Sequence, residues 1–160
     1  PGLNLAAGFV SGKRGLDTYS APALHTATRF DALAAYNGTF FHLGGEYFQA
    51  KNYNNVTTVA TDKADAFSIT GSIIPTPAWT IFGRYDNGKP SKDLKPTLED
   101  NFYYAGLQWR VNTAFAASLL YKHEEVKNGT LSVSEGTIGS TKPNNKGEYK
   151  EIGIWTVYAF

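Results

Sequence analysis

Charged side chains recur two residues apart along this chain, a spacing that places them on one face of a β-strand. Arg29 and Asp31 show the pattern, and Arg84 and Asp86 repeat it. A strand face of mixed charge can line an aqueous passage and filter ions, or it can pack as an ion-pair network inside a narrow interior. The predicted lining residues are Arg29, Asp31, Glu46, Arg84, Asp86, Arg110, Lys122, Glu124 and Glu151.

Residues suited to catalysis or metal binding do not form a comparable pattern. His25, His42 and His123 lack metal-ligand spacing, and no serine has the sequence context of a nucleophile. The chain has no cysteine, which excludes thiol catalysis and cysteine-based metal sites. We predict a protein that is not an enzyme and uses no metal or cofactor. An outer-membrane lipase-type barrel is an alternative, because spacing alone cannot assign a Ser–His pair.

Period-two alternation predicts an all-β protein, and no segment shows a helical period. Short connections at residues 37–39, 75–77 and 112–113 alternate with four long polar ones. This alternation predicts a transmembrane antiparallel up-and-down β-barrel with eight strands in this chain. Asn37-Gly38 predicts a tight hairpin with positive φ at both residues. The eight strands are expected at about 3–12, 27–36, 40–50, 64–74, 78–86, 101–111, 114–126 and 148–160.

Length and composition fit this interpretation. The 160 residues correspond to a single domain, 1–160, and the formal net charge of +1 argues against a nucleic-acid partner. No run approaches the ~20 apolar residues of a membrane helix. A barrel needs no such run, because only alternate residues of each strand face lipid.

The positions between the charged ones are largely apolar and are predicted to face lipid. Their aromatic residues fall at strand ends, such as Tyr47 and Tyr85 beside long loops and Trp79 and Trp109 beside short turns. Aromatic rings concentrate in two belts at the membrane interfaces. The alternative is the core of a soluble β-sandwich, which explains burial but not the segregation of rings to strand ends.

The chain ends Tyr158-Ala159-Phe160, and aromatic, glycine and charged residues alternate in 43–48, 79–86 and 103–109. These features resemble Gram-negative outer-membrane β-barrels, in particular the C-terminal half of larger porins. The resemblance implies a bacterial outer-membrane location, with outer-membrane lipid and lipopolysaccharide as partners. It further implies that the barrel assembly machinery recognises Tyr158 and Phe160, and it allows a homo-oligomer.

The predicted function is an outer-membrane porin that allows passive diffusion of small hydrophilic solutes through a charged lumen. The alternative is a non-porous eight-stranded barrel with a structural, adhesion or surface-binding role. The eight strands either close alone or are the C-terminal strands of a larger barrel. Four cationic and five acidic lining residues predict weak ion selectivity. Trp155 falls on the charged face by parity, where it fills a narrow lumen unless a bulge shifts the register.

Overall fold

The computed structural model describes residues 1–53, 55–133, 136–142 and 144–158. No helix long and apolar enough to cross a membrane occurs among them. The strands are β1 Gly2–Gly12, β2 Ala27–Asn37, β3 Phe41–Lys51, β4 Lys63–Thr76, β5 Trp79–Lys89, β6 Glu99–Arg110, β7 Phe115–Lys127, β8 Thr130–Val133, β9 Gly136–Gly139 and β10 Lys146–Tyr158.

Eight of these strands form one antiparallel sheet in the order β1-β2-β3-β4-β5-β6-β7-β10. The prediction of an all-β antiparallel fold is confirmed, and each of the eight predicted strands is present. Strands β1 and β10 are the sheet edges, and the described residues show no pairing between them. The observed architecture is therefore an eight-stranded antiparallel sheet.

A hairpin of β8 and β9 forms a second, two-stranded sheet inside the segment predicted to be one long polar loop. Leu131 and Val133 alternate with polar residues, and Ile138 lies on the partner strand. This alternation of apolar and polar residues is present in the sequence, but four residues per strand are too few to distinguish it from chance.

The Asn37-Gly38 hairpin is present, but the predicted backbone conformation is wrong. Neither residue has positive φ, and Gly38 to Phe40 form a three-residue connection closed by the Gly38 N–H donating to the Phe41 carbonyl at 2.8 Å. A Cβ at Gly38 would lie 3.1 Å from that carbonyl oxygen and 3.2 Å from the Tyr36 ring. Glycine is favoured at position 38 because a Cβ would have too little space, not because the backbone adopts a left-handed conformation.

The strand register separates the side chains into two faces across the whole sheet. Residues directly paired across antiparallel strands project to the same side. Pairing proceeds from β1 to β10 with a single irregularity, between Ile73 and Thr76 near the β4–β5 turn. One face therefore carries the apolar residues predicted to meet lipid. We call it the apolar face and the opposite one the charged face.

Buried residues lie at the end of the sheet where the long connections are, which we call the loop end. Leu98, Val126 and Ile138 form one cluster there, and Val56 is fully buried in the connection after β3. Elsewhere in the sheet the apolar face remains exposed, as at Ile69 with 50% and Leu119 with 54% of its surface accessible. The described core thus forms where the connections and the β8–β9 hairpin pack against the loop-end residues of the sheet.

Candidate functional site

All nine predicted lining residues lie on the charged face. The register joins six of them in two neighbouring rows near the middle of the sheet, one largely acidic and one largely basic, whereas Arg29, Asp31 and Arg110 lie outside these rows. The first row is Leu33, Glu46, Ser68, Asp86, Phe102, Glu124 and Tyr149. The second row is Ala35, Gly44, Thr70, Arg84, Tyr104, Lys122 and Glu151.

Two arginines pair with acids two residues further along their own strands. Arg29 Nε donates to Asp31 Oδ2 at 2.8 Å while Nη2 donates to Oδ1 at 2.6 Å. Arg84 Nε lies 2.7 Å from Asp86 Oδ1. Both pairs remain partly exposed, and such pairs contribute only about 0–1 kcal/mol to stability. Their main consequence is that each guanidinium is held in a fixed direction along the strand.

A third ion pair links the last two strands of the sheet. Lys122 Nζ lies 3.2 Å from Glu151 Oε2, which also accepts a hydrogen bond from the Tyr149 hydroxyl at 2.9 Å. Lys122 Nζ also lies 5.3 Å from the centre of the Trp155 ring. The Arg29–Asp31 and Arg84–Asp86 pairs stay on one strand, and the Lys122–Glu151 pair joins adjacent strands.

Trp155 lies on the charged face, as parity predicts. It pairs with Ser118 in a β7–β10 register that has no shift, so the alternative of a bulge at this position is wrong. The indole lies against Gly153, where a Cβ would come within 3.0 Å of Trp155 Nε1. About half of its surface, 51%, remains accessible.

Five further aromatic rings on this face were missed by the sequence reasoning. The Phe82 ring covers Gly106 and contacts Tyr104, which in turn contacts Phe102, with centroid distances of 6.1 and 5.9 Å. Tyr149 is the fourth, and Phe48, whose ring centre lies 4.8 Å from Arg29 Cζ, is the fifth. Parity with Arg84 and Glu151 could have placed Phe82 and Tyr149, but neighbouring rings on the apolar face obscured the pattern.

The two halves of the charged face differ in bulk. Strands β5, β6, β7 and β10 carry most of the rings, whereas β1 to β4 carry Phe48 and many small side chains such as Ala6, Ala35 and Gly44. A pocket of about 270 Å³ opens where the halves meet, lined in part by Ala35, His42, Thr70 and Phe82. This face therefore offers open space beside charged and aromatic groups.

The β8–β9 hairpin packs over the loop end of the charged face. Ile138 contacts Leu98 and Val126, and Tyr149 packs against the same cluster. The Gly139 backbone approaches Gly147 so closely that a Cβ at Gly147 could not fit. Val126, Gly147 and Tyr149 all lie at charged-face positions of β7 and β10. The hairpin therefore covers the loop end of the charged face.

Asp62 links the connection after β3 to the connection after β5 by hydrogen bonds. Its carboxylate accepts hydrogen bonds from the Ser91 hydroxyl at 2.6 Å and from the Asp93 and Leu94 N–H groups at 3.0 and 3.4 Å. Burial acts to raise the pKa of Asp62, but these donors and the Lys63 N–H outweigh it and hold the pKa below its usual range. These hydrogen bonds hold the connections after β3 and β5 together.

His123 lies together with Glu125 and Glu148 on the apolar face near the loop end, within 4.8 Å of one another. Spacing in the sequence had not suggested this grouping. Glu125 already pairs with Lys127 and Lys146, and Glu148 with Lys146 and Lys150. Ammonium groups thus take the place that a cation would need, and the expectation of no metal stays a prediction.

Of the predicted assembly signal, Tyr158 pairs with Phe115 on the apolar face, and Phe160 lies outside the described residues. No protein family model, no curated protein and no solved structure matches this chain.

Proposed function

We propose that this chain forms the wall of an outer-membrane porin that lets small hydrophilic solutes diffuse passively. The observation that carries the proposal is the separation of the two faces. One face collects the nine predicted lining residues, and the other presents an exposed apolar surface in the body of the sheet, with its charged residues at the loop end. In a membrane barrel the charged face would line a water-filled interior, and the apolar face would contact lipid.

Aromatic packing on the apolar face supports this orientation. Trp79 stacks on Trp109 at 5.9 Å beside the short turns, and Phe67 contacts Tyr85 at 5.9 Å beside the long loops. Between these levels lie aliphatic residues such as Ile69 and Leu107. Two ring belts around an aliphatic band are the arrangement expected where a sheet crosses a bilayer.

The local pairing of the charges favours an open lumen over a packed one. A plugged interior needs a partner for each charge from across the barrel, because an unpaired buried charge is strongly destabilising. Here the pairs stay within neighbouring positions, and Arg84 and Asp86 keep 40% and 27% of their side chains accessible. Glu124 is buried, with 6% of its surface accessible, whereas the Arg84–Asp86 pair remains available to hydrated ions.

The open edges of β1 and β10 must be paired if the sheet lies in lipid, since unsatisfied backbone groups are not tolerated there. Additional strands of a larger barrel would supply that pairing, as would pairing of β1 with β10. Under this proposal the protein catalyses no reaction, lies in the bacterial outer membrane among lipid and lipopolysaccharide, and is inserted by the barrel assembly machinery through Tyr158 and Phe160.

Single-channel recording in a planar bilayer tests the proposal. We expect stepwise conductance with weak ion selectivity, and the absence of conductance steps from folded, inserted protein would overturn it. Ser68→Arg on the charged face and Gln49→Arg on the apolar face each add one positive charge. Only Ser68→Arg should shift selectivity toward anions; equal shifts would mean that the two faces are wrongly assigned.

The second candidate, a non-porous eight-stranded barrel, is favoured by one observation. The bulky half of the charged face, with Trp155 and Phe82, could fill the space above the small residues of β1 to β4 if β1 paired with β10. This barrel would resist detergent and shift on gels upon heating, but would conduct no ions. The same recordings therefore separate the two candidates.

A further inference from the structure

We infer that the charged face holds a binding site for a neutral six-membered sugar ring, which stacks against the Phe82 side chain. We call Phe82 together with Asn37, His42, Thr70 and Ser72 the sugar site. The inference rests on the proposed function and deepens it, because it takes the charged face as the wall that solutes meet. It names a substrate class, the neutral pyranose sugars, and a site that includes none of the nine lining residues.

The first observation is that the Phe82 side chain lies along the sheet instead of standing up from it. A Cβ at Gly106, directly opposite on β6, would lie 2.8 Å from Phe82 Cε2 and still closer to Cζ. The ring tip therefore occupies the space that a side chain at position 106 would fill. Because the ring leans toward β6, the space above β3 and β4 stays open, and Phe82 lines one side of the 270 Å³ pocket there.

The second observation is that no cation covers the Phe82 ring among the cation–π contacts of the described residues. Arg84 lies two residues further along β5, but its Nε donates to Asp86 at 2.7 Å, on the side away from Phe82. The Arg29 ion pair has the opposite effect, because Arg29 Cζ lies 4.8 Å from the centre of the Phe48 ring. The Phe82 ring is thus left open to a solute, whereas the Phe48 ring is covered.

The third observation is a set of neutral hydrogen-bonding groups around the pocket. The His42 Nδ1–H donates to Asn37 Oδ1 at 3.0 Å, since an amide oxygen can only accept. This leaves His42 Nε2 as an acceptor and Asn37 Nδ2 as a donor. Thr70 Oγ1 donates to the Gly83 carbonyl at 3.3 Å and keeps its lone pairs. Within the described chain, the Ser72 hydroxyl has no hydrogen-bond partner.

The chemistry of the sugar site identifies its ligand. A pyranose presents C–H groups on the faces of its ring and hydroxyl groups around its edge. The C–H groups suit the face of an aromatic ring, which carries partial negative charge, and the hydroxyls suit a mixture of donors and acceptors. The pocket volume of about 270 Å³ lies just below the range of about 300–1,000 Å³ typical of ligand sites, so it fits one ring and not a chain of rings.

The charges near the sugar site favour a neutral sugar over a charged one. Among the described residues, no lysine, arginine or carboxylate lines the pocket. Arg84 lies directly opposite Thr70, but it is already paired with Asp86. A charged solute would therefore lose water in the pocket without gaining an ion pair there.

Saturation-transfer difference NMR with D-glucose tests the inference on the folded chain, after circular dichroism has verified the β-fold. The micelles are of lauryldimethylamine oxide, which has no sugar headgroup. We expect transfer to the ring C–H protons of glucose and none to sorbitol, which has the hydroxyls but no ring. Phe82→Leu keeps an apolar side chain and removes the aromatic face. It should weaken glucose binding by about ten-fold, as expected for the loss of one aromatic contact.

The matched control is Phe48→Leu, which makes the same change on the same face at a ring that Arg29 already covers, and it should leave affinity nearly unchanged. Equal weakening by the two variants would show general apolar attraction and overturn the site. Equal transfer to sorbitol would overturn recognition of the ring, and tighter binding of glucuronate than of glucose would overturn the preference for a neutral solute. No glucose signal from protein that conducts ions would refute this inference alone, whereas a Phe82-dependent signal from protein without conductance would refute only the pore.

Discussion

The loop end and the body of the sheet differ in how far their apolar side chains are buried. At the loop end Val56 and Val126 are fully buried, and Leu98 is 2% exposed. In the body of the sheet Ile69 and Ile154 expose 50% and 77% of their surfaces. The loop end therefore excludes water from its apolar side chains with its own residues, while the body of the sheet leaves an extended apolar surface exposed.

The largest expected effect comes from placing a charge in the body of the sheet. Ile69→Arg puts a guanidinium on the apolar face, at a cost of about 2–4 kcal/mol near the bilayer midplane. Ser68→Arg, one residue away, points between Glu46 and Asp86 and should insert normally. The measurement is the folded fraction in lipid vesicles over a urea series. Similar losses for the two variants would contradict the separation of faces.

Opening the loop end at Asp62 should have the next largest effect. Asp62→Asn weakens the hydrogen bonds to Ser91, Asp93 and Leu94, and we expect a loss of about 1–3 kcal/mol in local stability. Hydrogen exchange of the Asp93 and Leu94 amides measures it. Amides in the middle of β4 and β5 serve as the internal control and should keep their protection.

The same carboxylate gives this end a predictable pH dependence. Because folding lowers the pKa of Asp62, its contribution is complete above the unfolded pKa of about 3.9 and is lost as pH falls through the lower folded value. Exchange of the two amides should accelerate only in that acidic range. Acceleration near neutral pH would point to another group.

A smaller effect is expected from truncating the buried valine of the loop end. Val56→Ala removes two buried carbon groups at about 0.8 kcal/mol each and should make the connections after β1 and β3 more sensitive to protease. Val10→Ala is the matched change on a side chain that is 61% exposed, and it should alter stability by less than about 0.5 kcal/mol. Equal protease sensitivity of the Val56→Ala and Val10→Ala variants would contradict the difference between the loop end and the body of the sheet.

The smallest effect concerns single lining charges. Two unit charges about 4 Å apart in water interact by about 1 kcal/mol, which corresponds to about a five-fold change in the local ratio of anions to cations. Arg84→Gln should therefore shift selectivity toward cations and Glu46→Gln toward anions, with little change in stability. Reversal potentials measure both shifts, which should shrink at high salt. Shifts of the same sign would exclude these residues from the lumen.

Sequence reasoning succeeded where the relevant signal is local. Alternation at a two-residue period gave the eight long strands and the shared face of residues as distant as Arg29 and Glu151. It failed at β8 and β9, because four-residue strands carry too short a pattern. It also failed on the backbone of Asn37-Gly38, where packing against Tyr36 and Phe41 prevailed over the usual turn conformation.

The side of the strand that each residue occupies follows from the sequence, because it depends only on position along an extended backbone. Which charges meet, as between Lys122 and Glu151, is a result of the tertiary fold. The tertiary fold also decided that Val56 and Ile138 form the buried contacts. These outcomes depend on register and on contacts between residues far apart in the chain, which no local pattern encodes.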